Sequence, residues 1–256
     1  MNCRDIVNFL LVYHTIGDFC FWGNPKWEIQ TSNGKLDGSY AIMYLLIDRF
    51  KVNKDFNMSY YEFSIMLKGN VEIPLLKERY NCLLEMNCYL DNLDTDFYDA
   101  IKDMKLDKKL LDYVVSHLSY FKDESFFRGK TIYFYKRAQL LVSDILHVRK
   151  LLDNIEVDYS NLTGCADYKI PQVMNCLGML EYSKELEDML ANKVEIPEHN
   201  DIEVEIRAND LAVINYICEK LDNKICRMDI NDYIWLLGQD KSKIKKNYHR
   251  TRTIHY

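Results

Sequence analysis

The chain has 256 residues, 48% of them hydrophobic and 13% aromatic, enough to bury a core as one large domain or two small ones. Its net charge of −6 argues against a protein that coats nucleic acid non-specifically, although a local basic patch stays possible. Nine Gly and four Pro beside nineteen Tyr and eleven Phe leave few chain-turning residues, so helices are expected rather than a many-turned β fold.

In chain order, residues 5–15 read as a first helix. The alternation in Trp27-Glu28-Ile29-Gln30, followed by Ser32-Asn33-Gly34, signals a hairpin near residues 27–37. Helical spacing returns over Ser39–Phe50. Ser59 and Glu62 stand at the separation of a capping box and open a helix that ends near Gly69. Pro74 opens the next, to about Leu90. Asp94-Thr95 and Asp107 can cap helices over about 96–104 and 108–118. The longest helical run spans roughly 131–152, where Ala138, Leu141, Val142, Ile145 and Val148 keep a 3.6-residue period. Leu162–Gly164 reads as a turn and Ile170–Leu177 as a helix closed by Gly178. Further helices are expected at 182–192, at 208–221 after a strand-like IEVEIR, and at about 229–238, closed by Gly238. No repeat, low-complexity tract or linker interrupts the chain, so the expectation is mainly α, one compact helical domain over residues 1–256.

The eight cysteines form no C-x-x-C pair, and no His pair stands at metal spacing, which suits reduced thiols in a cytosolic protein and no metal. The N-terminal stretch through Phe19 reads as an amphipathic helix without a small-residue cleavage site. No apolar run approaches the ~20 residues of a membrane span. A soluble, cytoplasmic protein is expected.

The most informative segment is LTGCADYKIPQ, Leu162–Gln172. It sets Asp167 in a short connection before a helix with Pro171 in its first turn, where a missing N–H costs nothing. Asp167 thus lies near the positive end of that helix, which favours an ionised carboxylate. It could be a simple cap or a fixed negative charge beside a pocket. Tyr168 and Lys169 follow it directly. In FRGKTIYFYKRAQ, Phe126–Gln139, the cations Arg128, Lys130, Lys136 and Arg137 surround aromatic residues. They read either as a solvated basic face or as a source of one phosphate ligand, and Lys136 and Arg137 point apart on a helix, so at most one faces a pocket. If HRTRT, His249–Thr253, is extended, Arg250 and Arg252 share one side and Thr251 and Thr253 the other. Phe19–Trp22 and Trp27 form an aromatic cluster that is either core or a stacking surface for a base. Asp232 and Trp235 lie one helical turn apart, where a carboxylate can accept from the N–H groups of a heterocycle or be one more capping or surface acid. The chain lacks G-x-G-x-x-G, a phosphate-binding P-loop, G-x-S-x-G and H-E-x-x-H, so common cofactor and zinc-hydrolase chemistries are poor readings.

Five stretches together resemble the queuosine salvage protein family of queuosine 5′-phosphate N-glycosylases. They are FCFW (19–22), YFYKRAQLLVSDI (133–145), ADYKIPQV (166–173), VEIRA (204–208) and YHRTRTIHY (248–256). They follow the family's order along nearly the whole chain, and YKRAQ and ADYKIPQ are the specific strings. The resemblance implies hydrolysis of the N-glycosidic bond of queuosine 5′-monophosphate, releasing queuine, a 7-deazaguanine base, and ribose 5-phosphate. It also implies a helical fold similar to helix-hairpin-helix DNA glycosylases, with no cofactor. Asp167 takes the catalytic role, as nucleophile, general base or electrostatic stabiliser of the oxocarbenium-like sugar. Base binding falls to Asp232, with Asn231 as the alternative register, and to Cys165, Ala166, Phe21, Trp22 and Trp235. At position 165 several family members carry Phe. Phosphate and ribose binding falls to Lys136, Tyr168, Lys169, Arg250 and Arg252. The implied partner is a small nucleotide, without a stable nucleic-acid or membrane complex, and a monomer is expected. Two other classes stay open, a glycosylase-like protein acting on intact tRNA or another polymer and a non-enzymatic helical interaction module.

Overall fold

A computed structural model describes residues 1–104, 108–240 and 242–256. Helix α1 (Cys3–Ile16) is capped by the Asn2 side chain and buries Val7, Leu10, Leu11 and Ile16. A hairpin of β1 (Glu28–Thr31) and β2 (Gly34–Asp37) follows, with Glu28 opposite Asp37 and Thr31 opposite Gly34. It feeds α2 (Gly38–Val52) and α3 (Tyr60–Met66). The capping box on α3 forms as the spacing predicts: Glu62 N–H donates to Ser59 Oγ and Ser59 N–H to Glu62 Oε2. Next come α4 (Leu76–Asp91), α5 (Phe97–Ile101) and α6 (Lys108–His117). Asp96, not Asp94, caps α5, since its carboxylate accepts from Asp99 N–H at 3.0 Å. The expected cap at Asp107 lies outside the described residues.

Two expectations fail here. Residues 131–135 do not begin the long helix. Lys130–Tyr133 form β4, paired antiparallel with β3 (Glu124–Phe127) around a turn in which Arg128 and Gly129 both have positive φ. Helix α7 therefore starts at Lys136 and runs to Leu152. The IEVEIR stretch is not a strand either. It lies in α10 (Asp201–Lys220), where Glu203, Val204, Ile206, Arg207 and Asp210 are buried at helical spacing. Three of those five are charged, which erases the apolar period while leaving every second residue aliphatic.

Between them lie α8 (Lys169–Cys176) and α9 (Lys184–Ala191), and after them α11 (Arg227–Leu237). Helix α8 begins at Lys169, one residue before the expected Ile170, and Pro171 sits inside its first turn as expected. Two apolar clusters organise the chain. The larger joins α1, α2, α4, α6 and α7; the smaller joins Ile170, Val173 and Met174 of α8 to Ile214 and Cys218 of α10 and Ile230 and Ile234 of α11. Gly238 lets α11 end directly on α8, because a Cβ there would lie 2.9 Å from Val173 Cγ2. The tail is extended after Tyr248 and bridges Glu195 in parallel through Arg250. No helix among the described residues is long and apolar enough to cross a membrane.

Candidate active site

The two clusters leave a cavity of about 590 Å³ between them. One wall is built by α1, α2 and α7, and the other by the connection into α8, by α11 and by tail residues Tyr248 and Tyr256. Helix α7 turns Lys136, Leu140 and Asp144 to it, an i, i+4, i+8 stripe. Helix α11 turns Asp232, Trp235 and Leu236 to it, and its exit adds Gln239.

Asp167 is buried and lines this cavity. The chain reaches it through Gly164, whose φ of +107° an L side chain rarely adopts and whose Cβ would press on Ile214 Cδ1 at 3.0 Å. Asp167 Oδ1 accepts from Lys169 N–H at 2.6 Å and Ile170 N–H at 3.1 Å, so it caps α8 in the orientation the sequence suggests. Such a cap is worth about 1 kcal/mol. It also fixes the carboxylate, whose Oδ2 takes no hydrogen bond from the described residues.

The loop is held from the facing helix as well. Asn231 Oδ1 accepts from Cys165 N–H at 2.9 Å, and Asn231 Nδ2 donates to Asp232 Oδ1 at 3.2 Å. Asn231 is thus occupied in joining loop to helix, while Asp232 presents its carboxylate to the cavity. Burial in the wall pushes the Asp232 carboxyl above its usual range, the Asn231 hydrogen bond works against that, and repulsion from Asp144 adds to it. Cys165 lines the floor as a buried thiol with a pKa well above the ordinary value, because burial disfavours a thiolate.

Phe21, Trp22, Lys136, Tyr168 and Lys169 also stand in the wall. Lys169 Nζ donates to Gln172 Oε1 at 3.2 Å and lies 5.3 Å from the centre of the Tyr248 ring. Arg137, one residue beyond Lys136, points into the core and donates to the carbonyls of His14, Thr15, Tyr120 and Ile254. Three expected residues are not in the wall. Ala166 packs on Phe134 and Val204 behind the loop. Arg250 and Arg252 do share one side of the extended tail, opposite the buried Thr251 and Thr253, but that side meets Trp22. Arg252 lies 4.3 Å over the Trp22 ring and pairs with Glu195 at 3.3 Å. Arg128 is exposed and pairs with Glu205.

The structure adds residues that sequence reasoning passed over. His14 donates from Nδ1 to Asp18 Oδ2 at 2.5 Å and from Nε2 to Asp144 Oδ2 at 2.9 Å, all three in the cavity wall. Burial alone would strip its proton; the two carboxylates outweigh that and raise its pKa to about 9. Asp18 is opposed by burial, but the His14 cation holds it down at about 2. A His in the last turn of a mostly apolar helix, with an Asp just past the helix end, was the only local signal. Tyr40 and Trp235 face each other at the rim, ring centres 6.3 Å apart.

Behind the loop, Arg207 of α10 is fully buried. It donates from Nε to the Ala166 carbonyl at 3.0 Å and grips Asp123 with both Nη atoms, at 3.0 and 2.5 Å. Its guanidinium is sandwiched between the rings of Phe134 and Tyr256, 3.9 and 4.2 Å from their centres.

A buried acid thus shares a cavity of nucleotide size with aromatic rings and lysines. The chain matches the queuosine salvage protein family over residues 1–256. It belongs to that family. It is 33% identical to the queuosine 5′-phosphate N-glycosylase/hydrolase of Sphaerobacter thermophilus, over 98% of this chain and 81% of the relative. It is similar to the proteins of the same name from Dictyostelium discoideum, at 29% identity over 97% of this chain and 77% of the relative, and Bos taurus, at 30% over 98% and 81%.

Proposed function

We propose that this queuosine salvage family chain hydrolyses the N-glycosidic bond of queuosine 5′-monophosphate, with Asp167 as the catalytic residue. The supporting observation is the placement of Asp167: buried, pinned at the start of α8 by two backbone N–H groups, and open to a cavity lined by aromatic and charged groups. As the C1′–N bond breaks, positive charge builds on the sugar, and a carboxylate that needs no reorganisation stabilises it. Water adds at C1′ and the base leaves with a proton.

Asp232 accepts from the N–H groups of the base, oriented by Asn231. Trp22, Phe21 and Trp235 offer it ring faces. Lys136 and Lys169, with Tyr168, receive the phosphate and ribose. Arg250 and Arg252 act at one remove, by packing against Trp22. All of these groups come from one chain, so a monomer suffices, and a cavity of this size suits a free nucleotide better than a polymer.

The test is release of free base and ribose 5-phosphate from queuosine 5′-monophosphate, set beside the unphosphorylated nucleoside and whole queuosine-containing tRNA. The nucleotide should be the best substrate. Asp167→Asn should stay folded and bind the nucleotide, with kcat reduced ~10²–10³-fold or more. Full activity in that variant would remove Asp167 from the role; faster release from tRNA would replace the substrate.

A further inference from the structure

The Arg207–Asp123 pair touches the backbone of both halves of the site. Arg207 Nε holds the carbonyl of Ala166, the residue bonded to Asp167. Asp123 Oδ2, gripped by Arg207 Nη2, also accepts from the backbone N–H of Lys136, at 3.3 Å. The Asp123 backbone carbonyl further receives the N–H groups of Phe134 and Tyr135, at 3.0 and 3.2 Å, fixing the turn that starts α7. One buried ion pair therefore links a peptide bond beside the acid to the first residue of the lysine-bearing helix, and neither of its side chains lines the cavity.

Its rigidity has a visible source. The guanidinium is clamped between two rings, makes a fork to one carboxylate, and reaches Glu203 Oε1 at 3.3 Å with the same Nη1. Glu203 in turn accepts from Tyr256 O–H at 2.7 Å, so the carboxylates are balanced by donors on several sides. A lysine can carry the charge but not the planar fork together with a separate bond to a carbonyl.

We infer that Arg207 and Asp123 form a positioning unit that sets the spacing between Asp167 and Lys136, and so aligns the acid with the sugar of a nucleotide held at its phosphate. This rests on the N-glycosylase reading above. Misplacement of a reacting group by about 1 Å can cost ~10²-fold in rate without preventing binding.

The experiment compares wild type, Arg207→Lys and Asp123→Asn on queuosine 5′-monophosphate, reading kcat and KM per folded protein, with far-ultraviolet circular dichroism to establish folding. Expected is a fall in kcat of ~10–100-fold in both variants with KM within about threefold of wild type. A purely structural role would lower the melting temperature yet leave kcat per folded molecule intact, and that result overturns the inference. So does a raised KM with unchanged kcat. If Arg207→Lys does not fold, Asp123→Asn, which keeps the side-chain shape, decides by the same criteria. An inactive wild type would instead overturn the N-glycosylase reading.

Discussion

Two histidines lie equally deep in this molecule, each 2% exposed, yet one is held as a cation and the other stays neutral. In the front wall of the cavity, Asp18 and Asp144 bracket His14 and keep it protonated up to about pH 9. Behind the loop that carries Asp167, His249 touches Tyr256, and burial together with the nearby Arg207 cation drives its pKa to about 3. Burial is the same, so the neighbours decide. The front wall stores charge that a ligand can meet. In the rear region the buried cation Arg207 is already committed to Asp123 and Glu203, and its charge opposes a second cation on His249.

The contrast can be broken most strongly from the rear. Arg207→Met leaves Asp123 and Glu203 buried without their cation, which should cost about 3–5 kcal/mol. At ~2–4 °C per kcal/mol in a chain of this size, differential scanning should record a fall of about 6–20 °C. The same variant removes the charge that opposes His249, so the His249 imidazole should titrate closer to its ordinary value by NMR.

In the front wall, His14→Gln strands Asp18 and should cost somewhat less, about 2–3 kcal/mol near neutral pH, because Asp144 keeps access to solvent. The pH dependence carries the sharper signature. The folded pKa of His14 lies above that of the free side chain, about 6.5, so its stabilisation is complete below that pH and drains away as pH rises through about 9. His249 works in reverse: its folded pKa is depressed, so stability falls as pH drops below about 6.5 toward 3. Urea titrations across pH 4–10 should show the alkaline loss in wild type and its absence in His14→Gln. An unchanged alkaline limb would remove the charged-His14 assignment.

Two smaller effects test how the walls meet. Asn231→Ala leaves the buried Cys165 N–H without an acceptor and should cost about 1–2 kcal/mol, with a larger loss in catalysis than in stability because Asp232 is also released. Arg252→Ala cuts an exposed ion pair to Glu195 and should cost less than about 1 kcal/mol, leaving KM nearly unchanged.

Much of this was legible in the sequence where the signal is local. The position of Asp167 at the start of a helix follows from Pro171 and the polar connection before it, and the alternation of HRTRT separates the two arginines from the two threonines, though not which side is buried. Local signals fail where tertiary contacts replace the usual pattern. Residues 202–207 alternate like a strand, yet the structure buries Glu203 and Arg207 inside a helix, because Asp123 and Tyr256 satisfy them. The second hairpin was absorbed into the following helix because the aromatic residues of TIYFY obscure where one ends. The Arg128-Gly129 turn was the overlooked punctuation. Phe21, Trp22 and Lys136 of the front wall were named from the sequence, but its bridged His14 was not, since His14 and Asp144 are 130 positions apart.

The extended tail has a consequence for how activity would be lost. Its C-terminal end is anchored by Tyr256 on Glu203 and Arg207, but its backbone is held by isolated long-range bonds, among them the Ile196 N–H to the Arg250 carbonyl, the Trp22 indole to the Thr251 carbonyl and Arg137 to the Ile254 carbonyl. The second of these spans 229 positions of chain. Mooring lines of that reach can slip without the helical core melting, as local openings in proteins generally do. Tyr248 would then leave the cavity while most amides stayed protected from hydrogen exchange. On warming, turnover should fade before the cooperative transition, and bound nucleotide should slow exchange first in residues 248–256.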